Sequence, residues 1–399
     1  MALHFFFLPH LYFLLETHYD YIITGAGCAG LSLLYRMMQH PFFSNKKILV
    51  ADKAEKNHND RTWCFWETKP GMFEDVVHHK WKQVDFYSGH FSARFDIEPY
   101  TYKMIRGIDF YRFVLSKAAA NKNVTIVYGS VAAVSCNNDG ASVVIDGEIF
   151  TARYVFNSIL FKENTPPATA GKLYHLQQHF KGWLIETPAN AFDERVATFM
   201  DFRVSQQYGT TFVYVLPLAA NKALVEYTLF TKSLLPQHAY DEGLQHYISN
   251  FLKLKDYIVT ETEFGIIPMT NFHFSKGSGN VINLGTAGGN TKASSGYTFR
   301  FIQKHSDAVI EKLVQQKHPQ VLQNIMQKRF GLYDSTLLNV LSNNKLGGDR
   351  VFADMFRKNP VQRVFRFLDN ETNPVEELKL VSSVPTKVFL PAAVQELFR

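Results

Sequence analysis

Cysteine is nearly absent from this chain. Cys28, Cys64 and Cys136 are the only three in 399 residues, with no CxxC and no zinc-like spacing, which excludes a disulfide framework and fits a reducing cytosol. No apolar run reaches the roughly 20 residues that a membrane-spanning helix requires. The nearest approach, Phe5 to Leu15, is broken by Pro9 and has no Lys or Arg before it, so it matches neither a signal peptide nor a span. Two readings of it stay open: an extension that dips into a membrane surface, or upstream residues taken in by a wrong start codon. There is no G-x-S-x-G nucleophile turn, no HExxH, no nucleic-acid motif and no internal repeat. His175 and His179 are spaced four apart without a third ligand, and His78-His79 reads as surface, so no metal site is expected.

What the chain does have is phenylalanine, 35 of them, suited to cores, to apolar ligand walls and to ring faces that meet cations. Hydrophobic residues make up 46% and charged residues 20%, the balance of a folded globular protein, and the length favours two domains over one. Net charge is +6, and most of it lies from Lys304 to Asp369, where eleven Lys/Arg face six Asp/Glu. Such a segment either attracts anionic lipid or nucleic acid or forms a solvated helical face.

Residues 19 to 53 read as strand, glycine turn, helix and strand. Tyr21-Ile22-Ile23 is a short apolar strand, Leu31 to Met38 is helical, and Ile48 to Ala51 is a second strand ending at Asp52. A polar stretch leads to the aromatic Thr62-Trp63-Cys64-Phe65-Trp66. Ile108 to Ala120 has helical periodicity and Val124 to Val127 reads as a buried strand. Residues 131 to 156 alternate around Asp139-Gly140 and Asp146-Gly147, which predicts a β-meander rather than more parallel sheet. From 172 to 269 the pattern is antiparallel, with a hairpin of Phe212 to Pro217 and Ala223 to Phe230. A strand at Asn280 to Leu284, a glycine turn and a helix follow, and 306 to 369 is helical. The expected division is a discontinuous cofactor domain (19–57, 105–160, 270–305), a substrate-side domain (58–104, 161–269) and a C-terminal helical region (306–399).

Gly25-x-Gly27-x-x-Gly30 follows a strand and opens a helix, the setting of a dinucleotide fingerprint. The first glycine makes the bend, the second lets the backbone approach the pyrophosphate, and the third allows close helix packing. Asp52 ends the next strand, where it can accept hydrogen bonds from ribose hydroxyls. The second cluster, Gly285-Thr286-Ala287-Gly288-Gly289, lies about 250 residues on and suits the far end of a longer cofactor, which argues for FAD over NAD. A helix starting near Ser295-Gly296-Tyr297 would aim its N-terminus at the flavin ring and favour its anionic reduced form. Arg106 either contacts the cofactor or caps a helix.

Tyr21 to Leu31, Asp60 to Trp66, Ile105 to Tyr111, Met200 to Arg203, Leu224 to Thr228, Glu263 to Met269, the Gly285 turn and Gly296 to Phe299 resemble, in order, the motifs of bacterial lycopene beta-cyclases. The likeness covers about residues 19 to 303. It implies an α/β fold of p-hydroxybenzoate-hydroxylase-like topology, with a Rossmann-like FAD-binding domain and an antiparallel substrate sheet. It also implies an isomerase of carotenoid biosynthesis, a cytoplasmic protein peripheral to the inner face of the membrane. That enzyme would take lycopene and related linear carotenes through gamma-carotene to beta-carotene, using reduced FAD with NAD(P)H as reductant. The same resemblance brings the loop at Asp60 and Arg61 to the flavin.

Such a cyclisation begins by protonating an alkene, a poor base, so the acid must be positioned and dry. On a strand, Leu224, Glu226, Thr228 and Phe230 share one face, and apolar neighbours would hold Glu226 protonated. The resemblance makes Glu226 the catalytic general acid/base. Many members carry a second acid next in sequence, where this chain has Tyr227. Trp63, Phe65, Trp66 and Phe299 are candidates for cation-facing rings or plain packing, and Glu263 shapes the site without an assigned role. The alternatives are a flavin monooxygenase or polyprenyl reductase on the same scaffold, or a non-catalytic carotenoid-binding flavoprotein.

Overall fold

The computed structural model describes residues 17–137, 140–162, 165, 173–322 and 325–399, apart from the side chains of 137, 326 and 327. The run Phe5 to Leu15 and the turn residue Asp139 lie outside the described residues. Ile22, Ile23 and Ile48 to Ala51 are buried in the strands His18–Thr24 and Ile48–Asp52, as strands covered on both faces must be. They belong to an eight-stranded sheet whose parallel centre runs Val281–Asn283, Glu148–Asn157, His18–Thr24, Ile48–Asp52, Val124–Tyr128. Helices Cys28–Gln39, Gly107–Ala119 and Phe299–Val314 cover one face through Leu31, Leu34, Phe110, Val114 and Val309. The antiparallel strands Val131–Asn137 and Gly140–Ile145 cover the other.

The meander reading of 131 to 156 therefore holds only in part. Glu148–Asn157 pairs antiparallel with Gly140–Ile145, yet also runs parallel to His18–Thr24 in the middle of the sheet. Its first half alternates in burial and its last four residues are all buried, so the alternation captured only the half that has an exposed face. At the strand ends, Thr24 Oγ1 donates to Asn157 Oδ1 at 2.8 Å and Asn157 Nδ2 to Asn283 Oδ1 at 2.9 Å. This buried polar ladder aligns the two ends from which the glycine turns depart.

A second, seven-stranded sheet runs Ile258–Met269, Leu176–Glu186, Lys222–Thr231, Thr210–Ala219, Val196–Asp201, Gln83–Tyr87, Ser92–Asp96. It is antiparallel except where Val196–Asp201 meets Gln83–Tyr87, and it contains the expected hairpin, closed by Ala220-Asn221. Helix Gln237–Asn250 packs on one face. The C-terminal helices Gly348–Lys358 and Val361–Leu368 pack on the other, where Phe86 stacks on Phe356 with ring centroids 4.6 Å apart and Trp66 on Phe365 at 4.5 Å. Much of the phenylalanine is thus core.

Between the sheets lies a three-stranded one containing Thr62–Glu67, Thr101–Arg106 and His79–Trp81. Because side chains alternate along a strand, Trp63 and Phe65 join the cofactor-side core while Cys64 and Trp66 join the other. Helix Phe299–Val314 spans the boundary expected at 305, and its buried face, including Val309 and Leu313, packs entirely with the cofactor side.

Candidate active site

A cavity of about 430 Å³ lies between the two large sheets. Gly27, Cys28, Ala29, Gly285 and Thr286 line one end; Tyr102, Phe180, Tyr214 and Glu226 line the other. The stretch Ser295 to Phe299 runs along both.

At the first end the walls are backbone. Helix Cys28–Gln39 begins at Gly27 and helix Phe299–Val314 at Thr298, neither with a side-chain cap, so both present free N–H groups and a positive dipole end to the cavity. The second helix starts later than the expected 295 because Gly296, at φ 69°, and Thr298, donating to the Gly296 carbonyl, form a turn first. A Cβ on Gly30 would lie 2.0 Å from the Gly25 carbonyl oxygen, so only glycine lets the helix close on the strand. Gly27 has open space where a Cβ would stand, and Gly285 packs against Ala29, so the two glycine clusters form one cradle. Ala287 and Gly288 close the turn behind it; neither lines the cavity, nor do Gly25 and Gly30.

Asp52 holds this cradle from below. Its Oδ2 accepts from the Ala26 N–H at 2.6 Å and its Oδ1 from Lys56 at 3.0 Å, so ribose hydroxyls would share a carboxylate already engaged. Arg106 is not brought to the cavity: Asp109 holds its guanidinium through two hydrogen bonds, of 2.7 and 3.0 Å. Asp60 and Arg61 do line it, with Asp60 accepting from Tyr111 at 2.9 Å. Gln178 Oε1 and Ser295 Oγ are buried without partners beside Gly296. Orphaned polar atoms, uncapped helix ends and bare backbone on one wall fit a polar, anionic dinucleotide carrying a ring system.

At the other end the walls are side chains set by strand register. Gly182, in the middle of its strand, pairs with Glu226 on one neighbour and Glu263 on the other. A Cβ there would lie 2.9 Å from Glu263 Cγ and 3.1 Å from Leu224 Cδ1, so its absence leaves room for the carboxyls of Glu226 and Glu263 on either side. Thr228 Oγ1 donates to Glu226 Oε1 at 2.9 Å and Thr62 Oγ1 to Glu263 Oε2 at 2.7 Å. Glu263 Oε1 is buried without a hydrogen-bond donor among the described residues.

Burial, then the neighbouring Glu263 charge, pushes the Glu226 carboxyl well above the ordinary carboxylate range. Glu263 is also raised by burial, but hydrogen bonds from Thr62 and Glu226 draw it back. Of the two neighbouring carboxyls, Glu226 is therefore the one held furthest above the ordinary range. The accessible surface Glu226 retains opens into the cavity.

Tyr227 points the opposite way, buried under helix Gln237–Asn250 with its ring against Gly243. An acid at that position could not reach the cavity; in this chain the second carboxyl arrives from the next strand but one. Tyr102, Tyr214 and Tyr297 complete the wall, the first two buried and the third half-buried, with desolvation raising all three phenols. Tyr214 lies directly across from Glu226 in the sheet. Of the rings singled out from sequence, Trp63 and Phe299 line the cavity. Phe65 is stacked behind Phe299 at 4.3 Å and Trp66 is core, so neither reaches it. His179 is occupied on both ring nitrogens, by Tyr240 at 2.6 Å and Thr231 at 2.7 Å.

The parallel sheet flanked by helices and antiparallel strands, the two-glycine cradle and the seven-stranded sheet together define the p-hydroxybenzoate-hydroxylase-like class of flavoprotein folds. Solved structures agree. A flavoprotein/dehydrogenase from Cytophaga hutchinsonii superposes with a TM-score of 0.62 at 12% identity, over 96% of this chain and 99% of that one. A geranylgeranyl bacteriochlorophyll reductase-like protein from Thermoplasma acidophilum gives 0.59 at 14%, over 96% and 98%. A probable FAD-dependent monooxygenase from Pseudomonas aeruginosa gives 0.56 at 14%, over 82% and 98%.

Within that class, the family profile described as lycopene cyclase protein matches residues 20–393, and the chain belongs to this family. It is 25% identical over 261 residues to a lycopene beta-cyclase of Pseudescherichia vulneris, covering 63% of this chain and 62% of that one. It is 26% identical over 220 residues to one of Pantoea ananas, covering 54% and 53%. The alignments thus span between half and two thirds of these relatives' length.

Proposed function

We propose that this chain is a lycopene beta-cyclase that binds FAD in the glycine cradle and closes the linear ends of a carotene into β-rings. The observation that carries the reading is Glu226, a carboxyl raised by burial and by Glu263 beyond Gly182, lining the same cavity as the dinucleotide cradle. Glu226 transfers its proton to the terminal double bond of the polyene and leaves a tertiary cation on the adjacent carbon. The next double bond supplies the electron pair for the ring carbon–carbon bond, and the cation moves into the ring. A ring proton then passes to a carboxylate, Glu263 or the now ionised Glu226, and the β-ring double bond forms. One proton enters and one leaves, so no oxidant or reductant is consumed.

Tyr102, Tyr214 and Tyr297 offer ring faces to the cation and no strong nucleophile to trap it. Gln178, Ser295 and the uncapped ends at Gly27 and Thr298 would hold the cofactor. When bound in its reduced, anionic form, with NAD(P)H as the electron source, FAD supplies negative charge beside the cation. On this reading the substrates are lycopene and related linear carotenes, and the protein works at the cytoplasmic face of the membrane.

Expression in bacteria that accumulate red lycopene tests the proposal: cyclic carotenes should replace lycopene. Unchanged pigment in cells that hold folded, flavin-loaded protein would overturn it. A flavin monooxygenase or polyprenyl reductase on the same scaffold is the second reading, and NADPH consumed in proportion to product would support that one instead.

A further inference from the structure

Part of the basic segment Lys304 to Asp369 is tied up in ion pairs within the fold. Lys304, Arg329, Arg350, Arg357 and Arg366 pair with Glu371, Glu377, Asp354, Asp354 and Glu376. The unusual surface lies beyond it. Helix Pro374–Val381 exposes Val375, Leu378 and Val381, and helix Thr386–Leu397 exposes Leu390, Val394 and Leu397, followed by Phe398. Leu378 is 71% exposed and Phe398 87%, and the spacings are those of one stripe on each helix.

Charge on this face has one free sign. Glu376, Glu377 and Glu396 are paired with Arg366, Arg329 and Arg399, while Lys379 and Lys387 are exposed. Leu378, Val381, Leu390 and Ala393 also form the mouth of an apolar cavity of about 290 Å³, floored by Phe352, Met355 and Phe367. Its wall includes Ser294, next to Ser295 of the catalytic cavity. Exposed apolar stripes flanked by lysines and continuous with a hydrocarbon-lined hole match a bilayer, which supplies acyl chains and anionic headgroups together.

We propose that helices Pro374–Val381 and Thr386–Leu397 seat the protein on an anionic lipid bilayer, and that the cavity behind them takes up a hydrocarbon chain from it. The docking stands independently of the reaction proposed above. The test is flotation of the full-length protein with phosphatidylcholine vesicles, with and without phosphatidylglycerol. Wild type binds, more tightly with phosphatidylglycerol. Leu378→Glu with Leu390→Glu weakens binding at least about tenfold. Lys379→Glu with Lys387→Glu removes the preference for anionic vesicles. In Leu390→Trp, the new fluorophore is quenched by brominated acyl chains.

Absence of wild-type binding, binding untouched by the double Leu→Glu variant, or an unquenched Trp overturns the proposal. So does light scattering that shows a dimer split by the Leu→Glu variant, since a second copy would then cover the face. Cyclisation of lycopene offered in detergent micelles is a separate readout. Its absence in wild type would count against the cyclase reading while leaving the docking result intact.

Discussion

At its cofactor end the cavity is walled by backbone, with Gly27, Gly285 and Gly296 in front of two uncapped helices. At its far end Glu226, Phe180, Tyr102 and Tyr214 project from four different strands. The first end is built for holding, since backbone N–H groups bind an anion whatever the neighbouring side chains are. The second is built for chemistry, because a proton's location depends on which side chains face each other and how dry they are.

The largest effects should separate the two ends. Glu226→Gln keeps the volume and the Thr228 hydrogen bond but has no acidic proton, so cyclisation should fall by about a thousandfold or more while flavin content stays at wild-type level. Gly30→Val should do the reverse in order: the side chain meets the Gly25 carbonyl, flavin is lost, and activity disappears with it. Purified flavin content beside lycopene conversion checks both. A Glu226→Gln protein without flavin would break the division.

A smaller effect is expected at the gap between the carboxyls. Gly182→Ala puts a methyl against Glu263 and Leu224 and pushes the pair apart, so activity should fall by roughly tenfold with flavin retained. The smallest concerns Glu226 as a cost to the fold. Its carboxyl is raised in the native state, so the stability associated with its protonated form is present at low pH and lost as pH rises towards the raised value. Thermal unfolding should therefore find Glu226→Gln as stable as wild type in acid and more stable in mildly alkaline buffer.

The same contrast explains what could be read from the sequence. The glycine cradle is local: Gly25, Gly27, Gly30 and Asp52 sit within one strand-turn-helix-strand unit, and the strand-helix pattern around Gly285 repeats the logic. Glu226 was legible because alternation places Leu224, Thr228 and Phe230 on its face. Glu263 as its partner was not, since the pairing depends on a third strand between them and on the register of both ladders. The available signal was Gly182, a glycine inside a strand, which marks a close approach of other groups. Arg106 and Trp66 stayed open between two roles for the complementary reason: each lies in a motif near the site, and only the fold shows that one sits at a helix start, held by Asp109, and the other faces the C-terminal core.

The central claim is that Glu226 holds the proton because Glu263 faces it across Gly182. The pH dependence of lycopene conversion, measured for wild type and Glu263→Gln under the same flavin-reducing conditions, tests it most directly. On the proposed mechanism activity requires protonated Glu226, whose carboxyl the Glu263 charge raises, so removing the charge should move the alkaline limb of the profile to lower pH and lower its maximum. An alkaline limb that stays in place would contradict the account.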